Sequence, residues 1–256
     1  MNVLKKTVKG LRALAVTVGL VKDEELGFLI LSTLAKRLVP RYKLTWPGLD
    51  WFSSPSILVV LERFGESFGF NAHRRLALQQ LLRLVEGVPG DTAECGVFRG
   101  LGSCLILEAN RKSAVRRSHH IFDSFEGLSA PSELDGTHWQ KSDLSVDLES
   151  VKTNLSDYSD VVFHKGWIPA GFIEVSGVRF AFVHIDVDLY EPTLESIKFF
   201  YERLNDGGVL ICDDYGFDSC PGATKAIDDY LTGKVEKMIY LSGGGGFLIK
   251  GVLTAV

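Results

Sequence analysis

The sequence predicts an α/β fold, a mostly parallel sheet wrapped by helices and finished by an antiparallel hairpin. Three observations carry this. From residue 91 onward, short runs of β-type residues alternate with runs of helical periodicity, the pattern of strands joined by helical crossovers. The glycine-rich stretch AECGVFRGLGS (93–103) follows the first of these runs directly. Near the C-terminus, VEKMIYLS and GFLIKGVL flank SGGGG, two strand-like pieces around a glycine turn, so a hairpin is expected at 235–252.

Taken in order, residues 1 to about 50 read as one or two apolar helices broken around Pro40 and Pro47. A domain boundary is expected between an N-terminal helical extension, 1–54, and an α/β domain, 55–256. A helix is expected at 72–86, where Leu76, Leu78, Leu81, Leu82 and Leu84 dominate and Gly87, Pro89 and Gly90 stop it. Strands are then expected near 91–95, 119–123, 160–164, 179–185 and 207–212, and helices near 102–112, 147–155, 192–204 and 222–232.

Composition narrows the function. The 256 residues are 46% hydrophobic and 23% charged, ordinary for a globular chain, and a net charge of −4 leaves no electrostatic footprint for nucleic acid. Cys95, Cys104, Cys212 and Cys220 lack metal-finger spacing and read as reduced, partly buried thiols, which favours a cytoplasmic protein. The segment MNVLKKTVKGLRALAVTVGLV imitates a signal peptide, but VKDEE follows with no small-residue cleavage site, and the run is too short to span a bilayer. Lys5, Lys6, Lys9 and Arg12 could lay this helix on an anionic membrane surface; packing on its own domain or a partner is the alternative. Its apolar character suggests a homo-oligomer.

Four stretches could carry chemistry. Gly96, Gly100 and Gly102 would let backbone approach a ligand at a strand end, where the next helix presents free N–H groups. The spacing is neither G-x-G-x-x-G nor a P-loop, and a ligand-free turn is the alternative. Asp123 ends the second strand about 20 residues on, where an acidic residue accepts ribose hydroxyls in nucleoside-binding α/β folds; capping a turn is the alternative. Asp186 ends the fourth strand in FVHIDVDLY, and Asp213 and Asp214 end the fifth in GGVLICDDY. Adjacent strand ends lie about 5 Å apart, so these carboxylates could converge, and Mg²⁺ would resolve their repulsion. Asp188 could complete that site. His184 points to the same strand face as Asp186, and His138 lies in SAPSELDGTHWQKSDLS, a stretch with the length and composition of an active-site lid.

AECGVFRG, FDSFEGL, HIDVDLYEPT, LNDGGVLICDDYG and GATKAIDDYL together resemble the macrocin O-methyltransferase family, over roughly residues 55–250. The resemblance implies a class I methyltransferase (Rossmann-like) seven-stranded sheet and Mg²⁺-dependent methyl transfer from S-adenosylmethionine to a sugar hydroxyl of a glycan precursor or glycosylated metabolite. It implies a cofactor loop of Glu94, Gly96, Phe98, Arg99 and Gly100, a ribose acid Asp123 flanked by Ser124 and Phe125, and a metal triad of Asp186, Asp213 and Asp214. Val187 stands where the family has Gly, and Pro192 where it has Ser. Leu189 occupies the position of a lysine in the related catechol-type enzymes, so the proton acceptor falls to Asp186 or Asp188, with His184 and His138 behind them. The competing readings are a nucleotide-cofactor oxidoreductase and a non-catalytic subunit that keeps the fold.

Overall fold

A computed structural model describes residues 14–19, 23–38, 55–66 and 68–252. The chain divides into two compact units, Met1–Ser54 and Pro55–Val256. In the first, helix α1 (Glu24–Leu38) starts where Asp23 Oδ1 accepts the Leu26 N–H at 3.0 Å. Its Leu29, Leu31, Leu34 and Leu38 are all more than half exposed. Lys5, Lys6, Lys9, Arg12, Pro40 and Pro47 lie outside the described residues. Among those described, no helix is long and apolar enough to cross a membrane.

The second unit opens with α2 (Pro55–Arg63), a helix the sequence reading does not anticipate, and α3 (Phe68–Leu84). The strands then follow as β1 (Asp91–Cys95), β2 (His119–Asp123), β3 (Val161–Lys165), β4 (Phe180–Ile185), β5 (Leu204–Cys212), β6 (Ile239–Tyr240) and β7 (Gly246–Ile249). Between them run α4 (Leu101–Lys112), α5 (Leu148–Asn154), α6 (Tyr190–Tyr201) and α7 (Pro221–Leu231). The sheet order is β3-β2-β1-β4-β5-β7-β6, parallel except for the pairings of β7. The order reverses between β1 and β4, and ligands of open parallel sheets bind in the crevice at such a point.

The hairpin forms with a shorter β6 than expected. Gly244 and Gly245 both take positive φ (98° and 79°) to make the turn, but Glu236 leaves the sheet edge to accept from Tyr201 Oη and the Gly251 N–H. All four cysteines are free and buried.

The strands divide their side chains between two unlike layers. One face buries Ala93, Cys95, Phe122, Val183, Ile185, Leu210 and Cys212 in a continuous apolar core with Ile197 and Phe200 of α6. The other carries Thr92, Glu94, His119 and His184, all buried. Register explains the segregation: Thr92 pairs with His119 and Glu94 with His184, and paired residues of neighbouring strands share a face.

Candidate active site

The carboxyl ends of β1, β4 and β5 build the site. Each strand's hydrogen bonding continues one residue further, Asp186 N donating to Cys95 O (2.9 Å) and Asp213 N to Ile185 O (2.8 Å). Asp186 and Asp213 therefore emerge side by side. Gly96 makes this close approach possible: its φ is 80°, and a Cβ there would collide with the Asp186 carbonyl oxygen. Beyond Asp186 the chain reverses in a three-residue turn centred on Asp188 (φ 59°), with Leu189 N donating to Val187 O at 2.6 Å. Asp188 N donates to Asp214 Oδ2 at 2.8 Å, which draws Asp214 to Asp188.

The carboxylates thus sort into two adjoining groups. Ligand atoms of His184, Asp186 and Asp213 lie within 4.8 Å of one another, and so do those of Asp188, Asp214 and Cys220. The expected triad of Asp186, Asp213 and Asp214 is split between them. Two arginines from α3, which the sequence reading passes over, complete the first group. Arg74 Nη2 is ion-paired with Asp213 Oδ2 and lies 3.7 Å from Asp186 Oδ1, while Arg75 Nη1 lies 3.2 Å from Asp213 Oδ2 and 3.9 Å from Asp186 Oδ2. The signal was the pair itself, two adjacent cations in a leucine-rich helix, which reads equally well as solvated surface charge.

Charge in the cluster is unbalanced. Burial would raise the Asp213 carboxyl, but Arg74, Arg75 and His184 outweigh it and hold the group well below the carboxylate range. Burial, reinforced by the charge of Asp213, pushes Asp186 up to about 7 against the pull of Arg74. Burial also lifts Asp188 to about 6 despite the Cys220 hydrogen bond, and lifts Asp214 well up with the help of Asp188 and Asp186. Four carboxyl groups thus share two guanidiniums in a largely oxygen donor set. Such a set fits a hard divalent cation.

Two cavities meet at these residues. One, of about 300 Å³, is lined by Asp123, Ser124, Leu128, Trp167, Ile168 and Pro192 among others. The second, of about 360 Å³, is lined by Asn71, Arg74, Phe98, Trp139, Phe217 and Cys220 among others. Gly96, Leu144, Asp186 and Asp188 border both. In the first, Asp123 Oδ2 accepts from Val97 N at 2.8 Å and Oδ1 from Phe125 N at 2.6 Å, so two backbone donors fix the carboxylate at the mouth.

The residues expected to bind the cofactor separate accordingly. Gly96, Asp123 and Ser124 line the first cavity, and Phe98 lines the second. Glu94 does not reach either: it is buried, with one oxygen accepting from Ser103 Oγ and the other 2.7 Å from His184 Nδ1. Arg99 turns outward to the carbonyls of Phe64 and Gly65 at the end of α2. Gly100 (φ 96°) is the N-cap of α4, and Phe125 is buried against Phe163. His184 has no exposed surface, so it cannot meet an acceptor, and His138 is exposed beside Trp139 and borders neither cavity.

The expected lid is anchored near its middle by two contacts. Asp135 Oδ1 accepts the Tyr190 N–H at the start of α6 (2.6 Å), and Trp139 Nε1 donates to Cys220 Sγ at 3.3 Å. Trp139 and Cys220, neither assigned to a site from sequence, thus join the wall of the second cavity.

Residues 68–239 match the macrocin-O-methyltransferase (TylF) family. The chain belongs to that family. It is an O-methyltransferase with the class I fold. A Streptomyces olivaceus protein, 8-demethyl-8-(2,3-dimethoxy-alpha-L-rhamnosyl)-tetracenomycin-C 4'-O-methyltransferase, is 31% identical over 198 residues, covering 72% of this chain and 70% of its own. Demethyldecarbamoylnovobiocin O-methyltransferase of Streptomyces niveus is 31% identical over 188 residues, covering 65% of this chain and 70% of its own. The solved structure of the O-methyltransferase NovP superposes with a TM-score of 0.59 at 27% identity, covering 70% of this chain and 80% of that one.

Proposed function

We propose that residues 55–256 form a catalytic domain that transfers a methyl group from S-adenosylmethionine to a sugar hydroxyl of a glycosylated small molecule or glycan precursor. The first cavity receives the cofactor and the second the acceptor. The observation that carries this is the shared border: Asp186 and Asp188 face both cavities, so a group passing between them must pass these carboxylates. The rhamnosyl-bearing acceptor named for the Streptomyces olivaceus relative supports the choice of acceptor class.

The cofactor would supply a methyl already activated on sulfonium sulfur, and a divalent cation, which Asp186 and Asp213 would hold, would supply Lewis-acid polarisation of the attacking hydroxyl. The protein's own part is positioning and proton removal. Asp123, fixed by two backbone donors, accepts the ribose hydroxyls, and Gly96 lets the Asp186 backbone close against β1 beside the cofactor cavity. Asp188 takes the hydroxyl proton on a carboxylate oxygen. Its turn aims the side chain at the border, and its environment lifts its proton affinity toward neutrality. Trp139 and Phe217 offer aromatic faces to the apolar side of a sugar ring.

Calorimetric titration tests the reading. S-adenosylhomocysteine should bind and NAD should not. Binding of NAD alone would favour an oxidoreductase; binding of neither would favour a non-catalytic subunit. Excess chelator should abolish turnover with a labelled methyl donor while leaving S-adenosylhomocysteine affinity unchanged.

A further inference from the structure

We infer that Glu94 and His184 form a buried strut that positions Asp213, and so act on the site through that carboxylate instead of touching cofactor or acceptor. This rests on the proposed reading of Asp213 as a cation ligand. The geometry runs across four strands. Asn110 Nδ2 donates to Thr92 Oγ1 (2.8 Å), which lies 3.0 Å from His119 Nδ1. His119 Nε2 is 2.9 Å from Ser103 Oγ, and Ser103 holds one oxygen of Glu94. The other Glu94 oxygen meets His184 Nδ1, and His184 Nε2 faces Asp213 Oδ1 at 3.8 Å, a charge contact too long for a hydrogen bond.

Two further observations give the row a purpose beyond its own stability. His184 Nε2 is buried and has no hydrogen-bond partner, so the ring is held from one side and aimed at Asp213 from the other. Asp213 is in turn flanked by positive or polar groups on both oxygens: Oδ2 is held by Arg74 and Arg75, and Oδ1 faces His184 Nε2 across 3.8 Å. Second, the Glu94–His184 contact exists because position 102 is glycine: a Cβ there would collide with Glu94 Oε1 and crowd His184 Nδ1. The third glycine of AECGVFRGLGS thus opens space for a side chain, and the cofactor loop and the carboxylate cluster are mechanically one piece.

A buried ion row adds little net stability, because desolvating its charges cancels most of their attraction. What such a row adds is orientation. Groups that orient a metal ligand typically cost 10- to 100-fold in metal affinity when removed.

The test titrates the full chain with Mn²⁺, following the free-ion electron paramagnetic resonance signal, and measures S-adenosylhomocysteine affinity in parallel. Wild type should bind Mn²⁺. His184→Gln and Glu94→Gln should bind it roughly 10- to 100-fold more weakly, with S-adenosylhomocysteine affinity within about threefold of wild type. Ser103→Ala, which removes one clamp on Glu94, should give a smaller loss in the same direction. Wild type that binds no Mn²⁺ sinks the cation reading itself. Wild type that binds while the variants match it overturns the strut, as does a parallel fall in both affinities, the mark of a merely structural pair. Should the Glu94 and His184 variants fail to fold, unchanged Mn²⁺ affinity in Ser103→Ala overturns it.

Discussion

Two buried histidine systems occupy the same sheet and differ in where they end. His119 and His120 are neighbours in sequence, so β2 sends them to opposite faces. His119 joins the row that runs through Ser103, Glu94 and His184 to Asp213, which shares Arg74 and Arg75 with Asp186 on the border of both cavities. His120 joins a different chain: its Nε2 lies 3.2 Å from Asp91 Oδ2, its Nδ1 3.0 Å from His164 Nε2, and His164 Nδ1 2.6 Å from Glu174 Oε2. That chain ends at Asp91, where β1 begins, and at Glu174, whose side chain is 63% exposed. Residue types are nearly the same in the two systems. Carboxylate–imidazole pairing is thus no guide to chemistry; what matters is whether the far end of the chain reaches a crevice.

If that is right, substitutions should lose force with distance from the shared border. The largest effect is expected at Asp188. Asp188→Asn should lower kcat by roughly 10²- to 10⁴-fold, the usual contribution of a general base, and leave S-adenosylhomocysteine affinity almost unchanged. Turnover with labelled cofactor against a panel of glycosides measures the first, and calorimetry the second. A tenfold loss or less would move the proton acceptor elsewhere on the border, to Asp186 first.

Next comes the acid sensitivity of the row itself. Burial holds the His119 imidazole neutral, with its pKa pushed down to about 4. In the unfolded chain it titrates near 6.5, so below that pH the unfolded state binds the extra proton. Stability from this group is therefore complete above about pH 6.5 and is lost as pH falls toward 4, by about 2 kcal/mol between pH 7 and 5. Denaturant melts of wild type and His119→Gln across that range should show the shallower acid dependence in the variant. Parallel slopes would mean that the protonated ring finds a partner in Glu94.

His164 sharpens the contrast from the other side. Its ring stacks on Phe122 at 4.4 Å and satisfies His120, so His164→Gln should cost about 1–2 kcal/mol of stability, within the range of a lost buried hydrogen bond. Turnover at a permissive temperature should stay near wild type. A selective loss of kcat would connect this chain to the site, through the turn at Ala170–Val175 and the cavity-lining Trp167 and Ile168.

How much of this was legible in the sequence follows the same division. The expected bounds of β1 and β2 match the structure to the residue: Gly90 and Gly96 bracket DTAEC, and Ser118 and Ser124 bracket HHIFD. Asp186 and Asp213 were found because charged residues at the end of an apolar run have an obvious cost. Arg74 and Arg75 were invisible, since a helix shows its charged residues without saying what lies opposite them. Glu94 and His184 are expected in the site, but the sequence does not show that they contact each other. The pairing of β1 with β4 puts them side by side, and that register, skipping two strands in sequence, is a tertiary fact. A local motif assigned Gly102 to the ligand when its empty space serves Glu94.

The smallest effect is expected at Arg99, and it separates motif from geometry most cleanly. Family resemblance puts this residue in the cofactor loop. In the structure its guanidinium donates to Gly65 O (3.2 Å) and Phe64 O (3.4 Å), lies 5.0 Å over the Phe98 ring, and borders neither cavity. The loop is held independently by Asn154 Nδ2, which donates to the Arg99 carbonyl at 2.9 Å. Arg99→Ala therefore removes long hydrogen bonds at the surface, worth at most about 1 kcal/mol of stability, and should change S-adenosylhomocysteine affinity by less than about threefold. A tenfold loss would show that the loop turns Arg99 inward when the cofactor arrives. The end of α2 would then belong to the cofactor site, released from Arg99 on binding.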